Sequence, residues 1–231
     1  MGKPFSENDF QIYLQPTRFI NSDSPDVIAF ARSTTDHVAT GIERGVKLYY
    51  AVRDMIHYSP YGIRFDPERY KASWVLRAKI GFCIQKAILL AAAARAVGIP
   101  SRLGFADVRN HLATERLKKL MRTDEFIFHG YTELYLAGKW VKATPAFNLA
   151  LCKRFKVKPL EFDGRSDSIF HPFDGAGNKH MEYIRLHGQF ADFPLEKMIQ
   201  AFKEGYPHLY TKEGLGWPTG GDFEQEAEDM E

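Results

Sequence analysis

The sequence predicts an α+β fold, and three observations carry that prediction. The stretch Lys79 to Pro100, KIGFCIQKAILLAAAARAVGIP, reads as one long apolar helix with a cysteine at its mouth. Beyond it the hydrophobic period drops from three or four residues to two, as strands require. The later run EFIFHGYTELYLAGKWVKATPAF alternates, turns at Ala137-Gly138 and returns, which is the pattern of an antiparallel hairpin.

In chain order, FQIYLQPTRFI reads as a short extended segment, and Asn21 to Ser24 offer turn or cap residues before Pro25 opens a helix running to about His37. Val46, Tyr49, Tyr50 and Ile56 give residues 41–57 an apolar face at helical spacing. The connector from His57 to Tyr70 holds Pro60, Gly62 and Pro67 and is irregular. The cysteine helix spans Cys83 to Val97. Gly81 discourages extension backwards, Gly98 supplies a left-handed cap, and Pro100 forbids another turn. Residues 101–108 form a strand with Gly104 as a possible bulge, and Ala113 to Arg122 a short helix. After the hairpin, residues 149–170 are loop-rich with a basic run, and Asp174 to Asn178 form a polar, Gly-rich loop. Leu195, Met198, Ile199 and Phe202 mark a last helix, and the Gly-rich, acidic tail is expected to be disordered beyond Trp217. The expected organisation is one domain over residues 1–216, with a motif core at 75–148, and a tail at 217–231.

With 231 residues, 45% of them hydrophobic, the chain can bury a core without disulfides or metal. Its two cysteines, Cys83 and Cys152, make neither a disulfide framework nor a zinc-spaced cluster, so no metal or other cofactor is expected. The formal charge of +2 argues against nucleic acid as partner. The apolar run is interrupted by Gln85, Lys86 and Arg95, and the N-terminal residues have no secretory pattern, so the expectation is a soluble cytoplasmic protein that does not engage membranes.

Cys83 and His129 are the candidate reactive pair. A cysteine in the first turn of a helix meets unpaired backbone N–H groups that favour thiolate, although the same placement suits a small buried hydrophobe. With Ala137-Gly138 as a two-residue turn, Leu136 faces Lys139, Glu133 faces Lys142, Tyr131 faces Thr144 and His129 faces Ala146. Alternation then sets His129 on the less apolar face, with Thr144 as a diagonal neighbour about 7–8 Å away. An imidazole near a thiol can exchange its proton during attack on a carbonyl, and a third group can fix the ring.

The order Gly-Phe-Cys83-Ile-Gln-Lys-Ala, then ARAVGIPSRLGFADVRNH, then His129-Gly-Tyr-Thr-Glu133-Leu-Tyr-Leu-Ala-Gly-Lys-Trp140 resembles the transglutaminase-like superfamily of bacterial proteins. That resemblance covers residues 75–148. It implies a papain-type fold in which the cysteine helix packs on an antiparallel sheet, with Cys83 as nucleophile and His129 as general base and acid. The family commonly places Asp-Pro three residues after the tryptophan, where this chain has Thr144-Pro145. Thr144 is therefore the orienter by position and Asn148 the alternative, with Asp107 and Asp174 as further candidates. Oxyanion donors would be the Cys83 backbone N–H and a second group such as Trp74.

The leading expectation is a thiol-dependent acyl-transfer enzyme acting on a peptide, protein or small amide through a Cys83 thioacyl intermediate. Hydrolysis as a cysteine protease or amidase is favoured over transfer, because no feature marks a second, amine-binding site. The rival is a catalytically silent member that binds a peptide or protein, motivated by the absent aspartate. A third reading is N-acyl transfer from a coenzyme A thioester.

Overall fold

Helix α1 (Pro25–Thr34) begins at the expected proline and ends earlier than the sequence suggests, while α2 (Gly41–Met55) is closed at its start by a capping box. Thr40 accepts the Glu43 N–H and the Glu43 carboxylate reaches back to Thr40, so two orphan donors are satisfied reciprocally. The structure is a computed structural model and describes residues 10–111, 113–169, 181–211 and 214–228, the side chains of 227 and 228 excepted. Residues 10–15 form a helical turn and not the expected extended segment, because Tyr13 and Leu14 donate back to Phe10 and Gln11.

The connector after α2 contains β1 (His57–Tyr58), a 3-10 turn at Pro67–Tyr70 and α3 (Ala72–Ala78). Strand β1 pairs in parallel with β2 (Ile80–Gly81), which delivers the chain to α4 (Cys83–Ala96). Every residue of α4 from Cys83 to Arg95 is buried, so it is the central helix. Gly98 ends it with φ +78°, as its position past the last turn predicts.

Helix α4 lies on a four-stranded antiparallel sheet of order β5-β4-β3-β6: β3 (Ser101–Asn110), β4 (Glu125–Leu136), β5 (Lys139–Ala143) and β6 (Met181–Phe190). The Thr132 and Ser101 hydroxyls donate to the Ala87 and Ala91 carbonyls, each at 2.8 Å, and fasten helix to sheet. The hairpin register is the expected one from Leu136↔Lys139 to Thr132↔Ala143 and stops there. Thr144 then turns its N–H to the Ser168 carbonyl, so the ladder never reaches His129. Helix α5 (Glu115–Met121) precedes β4.

Later elements depart from the expectations as well. Helix α6 (Leu149–Arg154) occupies a stretch read as loop. Strand β6 lies in a segment with no clear alternation; it is an edge strand and exposes Ile184 and Leu186, so its hydrophobics do not mark one face. After α7 (Leu195–Gly205) come β7 (Tyr210–Thr211), β8 (Gly214–Leu215) and α8 (Phe223–Glu228). The expected disordered tail therefore holds a helix through residue 228, and the hydrophobic core runs on to Trp217 and Phe223. Aromatic side chains and two glutamates dock this segment despite its Gly-rich, acidic composition. The expected loop at Asp174 to Asn178, with His171 and His180, lies outside the described residues.

Candidate active site

Phe82, extended at φ −98°, turns the chain into α4 and leaves Cys83 in its first turn. The backbone N–H groups of Gly130 on β4, of Ile84 and of Cys83 itself favour the thiolate form of the Cys83 sulfur. Gly130 allows α4 to lie this close to β4, since a Cβ there would lie 3.0 Å from the Ile84 Cα. These N–H groups pull the thiol pKa down as a helix start should, but burial is the larger effect and pushes it up to about 11. The sequence expectation of a favoured thiolate is thus reversed by desolvation.

His129 stands on β4 opposite Ala106 and is 5% exposed. Burial pushes its imidazole down to about 4, so histidine and cysteine are both neutral at pH 7. The two residues line one cavity of about 30 Å³, with Tyr58, Phe126, Tyr206 and Trp217 among its walls. That volume is on the order of a single water. Phe126, Ile127, Phe128 and His129 all line it, which four successive residues of a flat strand would not do.

The cavity is walled by the C-terminal segment. Trp217 donates from Nε1 to the Pro60 carbonyl at 2.7 Å, and Gly62 donates to the Pro218 carbonyl at 2.7 Å. Glu226 on α8 accepts from Tyr61 at 2.5 Å and pairs with Arg116 at 2.7 Å, while Glu224 pairs with His57 at 3.5 Å and Arg154 at 3.4 Å. Sequence reasoning missed this wall. Its available signal was a tryptophan followed by acidic residues in a chain with otherwise unassigned arginines.

The remaining candidates are not gathered at the cavity. Thr144 is 1% exposed, and its Oγ1 has no hydrogen-bond partner among the described residues, the His129 ring included. Its carbonyl accepts from Tyr49 at 3.3 Å. Asn148 accepts the Tyr58 N–H at 3.2 Å and donates to Glu224 at 3.4 Å, so it ties β1 to α8 from behind the cavity wall. Trp74 lies on α3 beneath the Arg69 guanidinium, 5.5 Å from its ring, and is not among the residues lining the cavity. Asp107 accepts the Phe128 N–H at 2.9 Å and meets His187 Nε2 at 2.7 Å. Asp174 lies outside the described residues.

Lys86, one turn beyond Cys83, is fully buried and donates to the Arg53 and Ile56 carbonyls at 2.8 and 2.5 Å. It satisfies carbonyls at the end of α2, and burial lowers its pKa to about 7. Among the described residues there is no cluster of three or more potential metal ligands, and no helix is long and apolar enough to cross a membrane.

A family model for the transglutaminase-like superfamily matches residues 28–145, a stretch that includes α2, α4, the whole hairpin and the cavity's cysteine and histidine. No curated protein matches the chain. Among solved structures it is similar to a candidate cysteine protease from Cytophaga hutchinsonii, with a TM-score of 0.49 and 16% identity over 80% of this chain and 55% of that one. It is also similar to a candidate protease from Parabacteroides distasonis ATCC 8503, with a TM-score of 0.38 and 20% identity over 54% of this chain and 24% of that one. The chain thus spans about half the length of the first and a quarter of the second.

Proposed function

The chain belongs to the transglutaminase-like superfamily, whose enzymes are thiol-dependent, and from that membership we propose that it transfers acyl groups through a thioacyl intermediate on Cys83, with amide or peptide hydrolysis as the reaction. The observation that carries the proposal is that Cys83, at the start of a buried helix, and His129, on the adjacent strand, line one cavity inside the matched segment. Sγ attacks the carbonyl carbon while its proton passes to the His129 ring. The C–N bond then breaks, and the amine leaves with that proton. Water next attacks the thioester, gives a proton to His129, and releases the acid as the proton returns to sulfur. Because both groups rest neutral, proton transfer accompanies attack and no thiolate–imidazolium pair is needed beforehand. The backbone N–H groups of Cys83, Ile84 and Gly130 favour the thiolate form of the sulfur and are the candidate donors to the oxyanion.

A cavity of about 30 Å³ admits no peptide, so catalysis requires the wall formed by Trp217 to move. Thr144 is proposed as the residue in the aspartate position. Its hydroxyl could accept from imidazole but brings no charge.

Iodoacetamide labelling of Cys83, followed by mass spectrometry, tests the proposal. Cys83 should react, and His129→Ala should slow it by about tenfold or more, in keeping with general-base assistance. Equal rates with and without the histidine would refute the acyl-transfer reading. That result would favour the second reading, a silent peptide-binding or protein-binding member. The small cavity, the neutral thiol and the Thr144 hydroxyl, which has no partner among the described residues, are the observations on its side. Transfer from a coenzyme A thioester predicts that acyl-coenzyme A protects Cys83 from iodoacetamide; absence of protection removes that reading.

A further inference from the structure

Strict alternation along β4 would send His129 to the same face as Tyr131 and Glu133, which is the face away from α4. Gly130 and Thr132 take the α4 face, one against Ile84 and the other bonded to Ala87. His129 nevertheless lines the cavity with Cys83. Immediately before His129 the ladder with β3 is irregular. Ala106 pairs with His129 and Val108 with Phe126, so Ile127 and Phe128 together oppose the single residue Asp107. This is a β-bulge, a device that bends a strand and re-aims the side chains beside it. Phe128 completes it in the left-handed region at φ +61°, a conformation that bulky aromatic residues rarely take.

Asp107 holds the Phe128 end of the bulge, while the Tyr206 hydroxyl accepts the Ile127 N–H at 2.8 Å. The Asp107 Oδ1 accepts the Phe128 N–H at 2.9 Å, a donor otherwise displaced from the regular ladder. The same oxygen meets His187 Nε2 at 2.7 Å. His187 is itself the extra residue of a second irregularity, where β6 slips against Phe105 and Ala106. Its ring also packs on Phe128, 4.8 Å between centroids. Both irregularities therefore converge on one buried carboxylate. Strained conformations persist where surrounding groups over-determine them, and they cluster at functional sites.

We infer that Asp107, anchored by His187, is a positioning residue that fixes the Ile127-Phe128 bulge and so turns His129 toward Cys83. It acts through the Phe128 peptide, and its carboxylate need not touch the imidazole. The inference deepens the acyl-transfer reading and rests on it for the consequence in catalysis; the placement of the ring stands independently.

Two readouts separate placement from function. Proton NMR of the full chain labelled with ¹³C-histidine should show nuclear Overhauser contacts between the His129 ring and cavity side chains such as Met121 and Tyr206. Asp107→Ala should abolish them with the fold intact by circular dichroism, whereas Asp107→Asn, which keeps an oxygen for the Phe128 N–H, should retain them. Contacts that persist in Asp107→Ala, or are absent from the unsubstituted protein, overturn the inference. Loss in Asp107→Asn would assign the effect to charge and overturn it as well. Should Asp107→Ala not fold, His187→Ala, which removes only the anchor, must weaken the contacts, and unchanged contacts refute the proposal. The second readout is Cys83 alkylation by iodoacetamide in a double-mutant cycle. The slowing by His129→Ala, about tenfold in the native background, should shrink to less than about twofold in Asp107→Ala and remain in Asp107→Asn. If His129→Ala has no effect in the native background, the acyl-transfer reading fails and the NMR contacts alone decide the positioning role.

Discussion

Replacing His129 with glutamine should change how stability depends on pH, and the size of the change follows from the cavity. Burial holds the folded imidazole at about 4, against about 6.5 for an exposed histidine. Between those values the unfolded chain binds the proton and the folded chain does not, so stability falls as the pH falls. The contribution is fully present above about pH 6.5 and is lost progressively on the way down to about 4. Linkage gives a loss of about 2 kcal/mol between pH 7 and pH 5 and about 3 kcal/mol by pH 4. For a chain of this size, 2 kcal/mol corresponds to about 4–8 °C in Tm. Urea unfolding of the native protein and His129→Gln at pH 7 and pH 5 isolates this effect, since the other titrating groups are shared. The native protein should lose about 2 kcal/mol more than the variant over that interval. Parallel pH profiles would show that the ring is hydrated, and that the neutral, desolvated site is wrong.

Three further perturbations follow. Trp217→Ala removes an indole from the cavity wall, so Cys83 alkylation should accelerate while stability falls by about 3 kcal/mol; an unchanged labelling rate would show that the tryptophan does not limit access. Thr144→Val deletes a buried hydroxyl that has no partner among the described residues, so urea unfolding should show unchanged or slightly higher stability. A loss of more than about 1 kcal/mol would reveal a hydrogen bond to that oxygen. Gly130→Ala would place a Cβ 3.0 Å from the Ile84 Cα and push α4 from β4, which should cost about 1–3 kcal/mol in thermal or urea unfolding and slow Cys83 labelling. A variant as stable and reactive as the native protein would show that the helix start tolerates displacement.

The sequence made the cysteine helix and the hairpin legible because their signals are local. Gly81, Gly98 and Pro100 bracket α4, and Ala137-Gly138 sets a register that holds from Leu136↔Lys139 to Thr132↔Ala143. What it concealed depends on partners distant in the chain. Phe128 carries no sign that it will adopt a left-handed conformation; the partner that holds it, Asp107, comes from another strand. Trp217 sits in a Gly-rich stretch whose composition suggests disorder, yet Pro60 and Arg116 secure it and the backbone beside it from more than a hundred residues earlier. Strand β6 exposes Ile184 and Leu186 at the sheet edge, so alternation could not mark it. The thiol's raised pKa is hidden for the same reason: the helix start is visible in sequence, whereas the burial that outweighs it is not.

The threonine at position 144 and the neutral resting pair are mutually consistent. A carboxylate beside His129 would raise the imidazole pKa and draw the buried pair toward thiolate and imidazolium, and that ionic form would itself need satisfying in an apolar cavity. With threonine at position 144, burial holds the imidazole pKa down to about 4 and the ring rests neutral at pH 7. On the proposed mechanism the missing charge would be felt only when His129 takes the proton from sulfur and becomes cationic during attack, which is where an aspartate would contribute most. Substitution at this position should accordingly have little effect on the resting protein and a larger one on the acylation step. The Thr144→Val stability measurement therefore reports on the first of these, and the rate of Cys83 acylation in the same variant on the second.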